Sequence, residues 1–204
     1  MFLGVYNIPT AVSFLALIFG MASCIFSFNG YIGYALVCLI WAGISDLFDG
    51  FIARRFDLNE QEKAFGAEID SINDIVNFGA APAMIALHSG FNSPVDHILL
   101  TAYCCAAAMR LGHFNISGLI GEGPVKFYTG LPVTFSAMIF PLVFSVKFML
   151  SGPSYIWTVR ASYAAVGVLF LLKVPFPKPK GIFYVIFPAL AVIVSVFWIM
   201  KPAG

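Results

Sequence analysis

Seven stretches of this 204-residue chain are apolar over about the length of a bilayer crossing: 8–28, 31–53, 66–89, 94–112, 130–150, 155–173 and 182–200. A helix needs about 20 predominantly apolar residues to span the hydrocarbon core. Lipid offers the backbone no hydrogen bonds, so only helices and closed barrels cross it. The dyad alternation of a barrel is absent, which leaves an all-α bundle. Turn residues mark the breaks: Asn29-Gly30, Asn92-Ser93-Pro94, Ser151-Gly152-Pro153 and the run Pro175-Phe176-Pro177-Lys178-Pro179. Two connections are longer and polar, 54–65 and 113–129. Only 10% of residues are charged, against about 25% in a soluble domain, and no polar segment is large enough to form a second unit. Residues 1–204 are therefore expected to form one polytopic membrane domain of six to eight helices. The first apolar run has no basic segment before it and no small-residue cleavage site, so it is expected to stay as a helix.

The net charge of +1 favours no class of partner, and no basic patch interleaved with aromatics points to nucleic acid. Cys24, Cys38, Cys104 and Cys105 lie within apolar runs and read as small apolar fillers. The basic residues set an orientation. With a cytoplasmic N-terminus, Arg54, Arg55, Lys63, Arg110, Lys126, Lys173, Lys178 and Lys180 fall inside, and Lys147, Arg160 and Lys201 outside. That distribution obeys the positive-inside rule. Every acidic residue except Asp96 falls on the same inner side. His88 and His97 fall near the outer interface and receive no role.

Asp57, Glu60 and Glu62 fit a solvated loop. Asp46, Asp49, Asp70 and Asp74 do not. The first two close the second apolar run and the last two open the third, and their spacings put each pair on one helical face. If the two helices are antiparallel neighbours, all four carboxylates meet at one depth. A single carboxylate at the centre of a membrane helix costs about 2.5–3.5 kcal/mol, and like charges repel further. Helix capping does not explain Asp46 and Asp49, because a C-terminal end disfavours anions. A divalent cation is the natural counter-charge. A set of oxygen donors without His or Cys points to Mg²⁺, Mn²⁺ or Ca²⁺ and away from zinc. Gly50 and Ala53 continue the face of Asp46 and Asp49, and Gly66 lies one turn before Asp70. Such small residues either pack helices closely or leave room for a flat, bulky group.

Together these residues read Asp46-x2-Asp49-Gly50-x2-Ala53-Arg54-x11-Gly66-x3-Asp70-x3-Asp74. The pattern resembles the signature of the CDP-alcohol phosphatidyltransferase family. Three further elements resemble the bacterial phosphatidylserine synthase branch: Met109-Arg110-Leu111-x-His113-Phe114-Asn115, Phe127-Tyr128-Thr129-Gly130-Leu131-Pro132-Val133, and Val174-Pro175-Phe176-Pro177. Asp70-Ser71 and Phe78-Gly79-x2-Pro82 also fit that branch, so the likeness spans residues 46–181. His113 departs from it, standing where Lys or Arg is usual, so the charge there depends on pH. Asn7-Ile8-Pro9-Thr10 is similar to a rearranged form of the family's Pro-Asn-x-x-Thr.

The resemblance implies a core of about six helices and a cytoplasm-facing site in a bacterial cytoplasmic membrane. It implies that Asp46, Asp49 and Asp70 hold metal, two ions of Mg²⁺ or Mn²⁺, and that Asp74 is the general base and also touches metal. Asp46, Gly50, Ala53, Arg54, Gly66, Asn7 and Thr10 would receive the CDP-lipid. CDP-diacylglycerol would be the donor, L-serine the acceptor, and the enzyme a homodimer. Small residues at Gly79, Ala80, Ala81 and 106–108 could support the dimer contact. Serine brings a carboxylate to an acidic site, which calls for a cationic receptor. Arg110 is the best candidate, since a guanidinium grips a carboxylate bidentately, with His113 and Asn115 beside it. Arg110 could equally snorkel to lipid headgroups as an anchor, the reading given to Lys126, Lys178 and Lys180. Two alternatives stay open: the same transfer to glycerol 3-phosphate or inositol phosphate, and a divalent-cation channel or transporter.

Overall fold

The computed structural model describes residues 4–118, 127–177 and 181–201; Lys126, Lys178 and Lys180 lie outside them. The expected all-α bundle is what the chain forms. Its helices are α1 (Ile8–Phe28), α2 (Ile32–Ala53), α3 (Glu60–Asp74), α4 (Ala81–His88), α5 (Pro94–Ser117), α6 (Ser136–Ser145), α7 (Gly152–Leu171) and α8 (Phe183–Met200). A π-helical segment, Ile75–Ala80, joins α3 to α4 without leaving helical backbone angles, so 60–88 is one rod. Short 3₁₀ turns, Val133–Phe135 and Val146–Phe148, flank α6. The seven apolar stretches thus correspond to seven rods. Among the described residues, four helices, α1, α2, α7 and α8, are long and apolar enough to cross a membrane, and the chain is an integral membrane protein.

Two helix boundaries differ from the expectation. The third rod starts at Glu60, well before residue 66, because Asn59 and Glu62 form a reciprocal capping box that stabilises polar turns ahead of the apolar run. Asp70 and Asp74 therefore lie deep in α3 and not in its first turns. The fourth rod runs through His113 to Ser117, where Gly118 at φ +62° ends it. Hydropathy marks where lipid contact stops, whereas the backbone ladder continues into the interface.

Close contacts between rods rest on small residues and buried hydroxyls, as expected where lipid competes for apolar surface. Ser23 donates to the Ala35 carbonyl (2.8 Å) and Ser27 to the Met84 carbonyl (2.9 Å). A Cβ at Gly20 would overlap Asn77, and one at Gly43 would lie 2.6 Å from Ala137 Cβ. Pro82 has no N–H to offer the Phe78 carbonyl one turn back. The Tyr103 hydroxyl and Ser136 Oγ (3.5 Å) donate to that oxygen instead. Tyr163 donates to the Pro82 carbonyl at 2.6 Å and stacks on Phe140 at 4.1 Å. Gly79, Ala81, Ala106 and Ala107 are buried within the chain, leaving Ala80 and Ala108 exposed.

At the far end of α5, Asp96 is buried and meets Arg160 of α7 through Nε (2.7 Å) and Nη2 (3.0 Å). This pair accounts for the acidic residue that stood apart in sequence. Asp96 and Arg110 are separated by about 21 Å at 1.5 Å per residue. A two-stranded antiparallel ribbon, β1 (Phe127–Thr129) with β2 (Pro175–Pro177), joins two distant connections and pairs Tyr128 with Phe176. Gly130, at φ +76°, ends β1 where a Cβ would lie 2.7 Å from the Phe170 carbonyl.

Candidate active site

The last two turns of α2 face the second half of α3. Across this seam the carboxyls of Asp46 and Asp74 come within hydrogen-bonding reach, as do those of Asp49 and Asp70. One oxygen from each of Asp46, Asp49 and Asp70 lies within 4.8 Å of the other two. Asp49 and Asp74 are each only 8% exposed. Among the described residues, none of the four forms an ion pair. Three converging carboxylates that form no ion pair among the described residues are a donor set suited to a hard divalent cation.

Neighbouring helices supply hydroxyls to this cluster. Thr134, in the 3₁₀ turn before α6, donates to Asp46 Oδ2 at 2.8 Å. Ser13 of α1 donates to Asp49 Oδ2 at 3.3 Å, and Asn73 donates to the Ser13 carbonyl at 2.9 Å. Asp74 Oδ1 is buried without a hydrogen-bond partner.

Two cavities share the acidic wall. Asp49, Gly50, Arg54, Ala67 and Asp70 line both. The first, about 310 Å³, also contains Asp46, Asp74, Arg110, Asn115, Tyr128 and Thr134, with apolar walls from α6 and α8. Arg110 is 6% exposed, and its Nε and Nη2 are buried without partners. The rings of Phe114 and Tyr128 lie 5.0 and 5.6 Å from its guanidinium carbon. This cage of aromatic faces leaves the guanidinium's hydrogen-bonding edge unsatisfied. Asn115 is tied to Ser71 by hydrogen bonds of 2.9 and 3.1 Å.

The second cavity, about 520 Å³, lies between α1 and the α2–α3 connection and is lined by Asn7, Thr10, Ser13, Ala53, Lys63 and Gly66 together with the shared wall. Asn7 caps α1 by accepting from the Thr10 N–H (3.0 Å) and hydroxyl (2.8 Å). A Cβ at Gly66 would meet nothing within 4 Å, and one at Gly50 would meet only the Arg54 guanidinium, at 3.8 Å. Both glycines therefore face space and not a neighbouring helix.

The profile of CDP-alcohol phosphatidyltransferases matches residues 6–197. The chain belongs to that family. Similar proteins include an archaetidylserine synthase of Methanothermobacter thermautotrophicus, 29% identical over 180 residues (85% of this chain, 71% of the relative). A CDP-diacylglycerol–serine O-phosphatidyltransferase of Methanocaldococcus jannaschii is 34% identical over 146 residues (71% and 64%). Another of that name, from Mycobacterium bovis, is 27% identical over 181 residues (86% and 62%). The chain spans a little under two thirds of the length of the last two.

In this CDP-alcohol phosphatidyltransferase, the residues singled out in sequence fall into two groups. Asn7, Thr10, Gly50, Ala53, Arg54 and Gly66 gather at the second cavity, and Arg110 and Asn115 at the first. His113 is exposed and lines neither. Ser13, Asn73, Thr134 and Tyr184 carry no signal in the family pattern, yet Ser13 and Thr134 donate to the cluster, Asn73 fixes the Ser13 carbonyl, and Tyr184 lines the first cavity. Ser13 continues the Asn7–Thr10 spacing by one helical turn, a signal that could have placed it on the same face.

Proposed function

We propose that this protein transfers the phosphatidyl group of a CDP-activated lipid to the hydroxyl of L-serine, releasing CMP, and that it does so with bound divalent metal. One observation supports the acceptor: a buried guanidinium whose Nε and Nη2 have no hydrogen-bond partner shares a cavity with a buried aspartate oxygen that has none. An amino acid bearing both a carboxylate and a hydroxyl meets both needs. The names of the similar proteins agree, since each names a serine product or substrate.

Asp46, Asp49 and Asp70 would hold the metal, two ions of Mg²⁺ or Mn²⁺ with Asp74 adjoining. Bound there, metal would offset charge on the diphosphate and on the departing nucleotide. The nucleotide occupies the second cavity, against Gly50, Ala53 and Gly66, with Asn7, Thr10 and Arg54 at its edges. Arg110 takes the serine carboxylate bidentately and Asn115 stands beside it; His113, outside both cavities, is left without a contact to serine. Asp74 accepts the hydroxyl proton. The serine oxygen bonds to the phosphorus that carries the diacylglycerol, and the bond from that phosphorus to the CMP oxygen breaks. The apolar walls of α6 and α8 keep the lipid chains out of water.

The same reading covers residues 1–204 as one domain, with the N-terminus and site facing the cytoplasm of a bacterial cell. It includes a homodimer formed through the exposed small residues Ala80 and Ala108; a mass measurement in nanodiscs that finds a single protomer would exclude that state. The acceptor test uses purified protein in nanodiscs with Mn²⁺, CDP-diacylglycerol or its ether analogue, and labelled serine, glycerol 3-phosphate or inositol phosphate. Serine alone should enter lipid, with stoichiometric CMP. Label entering from a phosphorylated acceptor would overturn serine specificity. Cation flux without transfer would favour the channel reading.

A further inference from the structure

The carboxylates of Asp46 and Asp49 are not left to find their own orientation. Each has one oxygen, Oδ2, engaged by a hydroxyl from a helix outside the α2–α3 pair. Thr134 reaches Asp46 from a turn 88 residues further along the chain. It can do so because α2 carries no side chain at Gly43, one turn before Asp46. A Cβ there would lie 2.6 Å from Ala137 Cβ and 3.7 Å from the Thr134 carbonyl. Ser13 reaches Asp49 less closely, and its own backbone carbonyl is fixed by Asn73, the neighbour of Asp74.

We infer that Thr134 is a positioning residue that orients Asp46 for metal, with Ser13 in a weaker counterpart role at Asp49. The inference rests on the metal-dependent reading above. A hydroxyl hydrogen donated to one carboxylate oxygen favours one side-chain rotation. The other oxygen is then presented to the cluster without further loss of freedom. Partners of metal-binding side chains typically affect metal affinity or activity by about 10–100-fold. The shorter Thr134 contact, at 2.8 Å against 3.3 Å, should matter more.

Full-length wild type, Thr134→Val, Thr134→Ser and Ser13→Ala are purified in nanodiscs and titrated with Mn²⁺ alone, bound and free ion being distinguished by electron paramagnetic resonance. Thermal unfolding in excess chelator reports folding apart from metal. Thr134→Val should weaken Mn²⁺ binding by about 10–100-fold while unfolding near the wild-type temperature in chelator. Thr134→Ser should bind close to wild type, and Ser13→Ala should show the smaller loss. If the valine variant does not fold, Thr134→Ala serves in its place. Unchanged Mn²⁺ affinity in the folded variant overturns the inference, as does a serine variant as weak as valine, which would assign the effect to the lost methyl. Wild type without saturable Mn²⁺ binding overturns the metal reading itself, a distinct failure.

Discussion

Asp74 and Arg110 are the two residues whose variants separate chemistry from binding. Asp74 contributes a buried oxygen with no hydrogen-bond partner, so Asp74→Asn keeps the side-chain volume and removes the proposed proton acceptor. Turnover should fall by the 10²–10⁴-fold, or more, associated with loss of a general base, while CDP-lipid binding persists. Loss of nucleotide binding comparable to Asp46→Asn would make Asp74 chiefly a metal ligand. Arg110→Ala should raise the KM for serine by roughly one to two decades, the equivalent of about 1.5–3 kcal/mol for hydrogen bonds to a charged group, and leave the KM for CDP-lipid little changed. Arg110→Lys should recover only part, because an ammonium lacks the planar fork. Steady-state kinetics of both variants against both substrates checks this; a near-normal lysine variant would return Arg110 to the role of a headgroup anchor.

The elements that shape the second cavity, proposed above to receive the nucleotide, set stability against function at Gly66. This glycine lies inside α3, where alanine normally gains about 0.5–1 kcal/mol, and its missing Cβ points into open space. Gly66→Ala should therefore raise the unfolding temperature and, at the same time, raise the KM for CDP-lipid. A stabilised variant with normal KM would remove Gly66 from the nucleotide contact. The rods themselves could be read from apolar length, because lipid permits little else. The ends of α3 and α5 could not, because a capping box at Asn59 and a run of polar turns through His113 lie beyond the reach of hydropathy. The β1–β2 ribbon was also hidden. Two three-residue strands nearly fifty positions apart have no local pattern that announces their pairing, although both lay within segments already linked to the family. The aspartate cluster was legible because charge in an apolar run needs a reason. The hydroxyls of Ser13 and Thr134 were not, since such residues are common in membrane helices as packing devices.

For the molecule as a whole, the absence of an ion pair to the four aspartates among the described residues is what the proposed metal requirement is tested on. Excess chelator should abolish transfer, and Mg²⁺ or Mn²⁺ should restore it; full turnover after verified metal removal would contradict the requirement. The bundle also has a division of labour that bears on how the protein is made. The four helices apolar enough to cross lipid by themselves are the first two and the last two. Between them lies the rod carrying Glu60, Glu62, Lys63, Glu68, Asp70 and Asp74, followed by the one carrying Arg110. A translocon scoring each segment by hydrophobicity alone would hesitate over these two. Biogenesis is therefore expected to depend on earlier helices lending the acidic rod its place, α1 above all, which packs along α3, the π segment and α4, and a ribosome that has completed only α3 holds a segment the bilayer has little reason to accept. Mutations that weaken the α1–α2 hairpin should then appear first as failed membrane integration, before any catalytic defect can be measured.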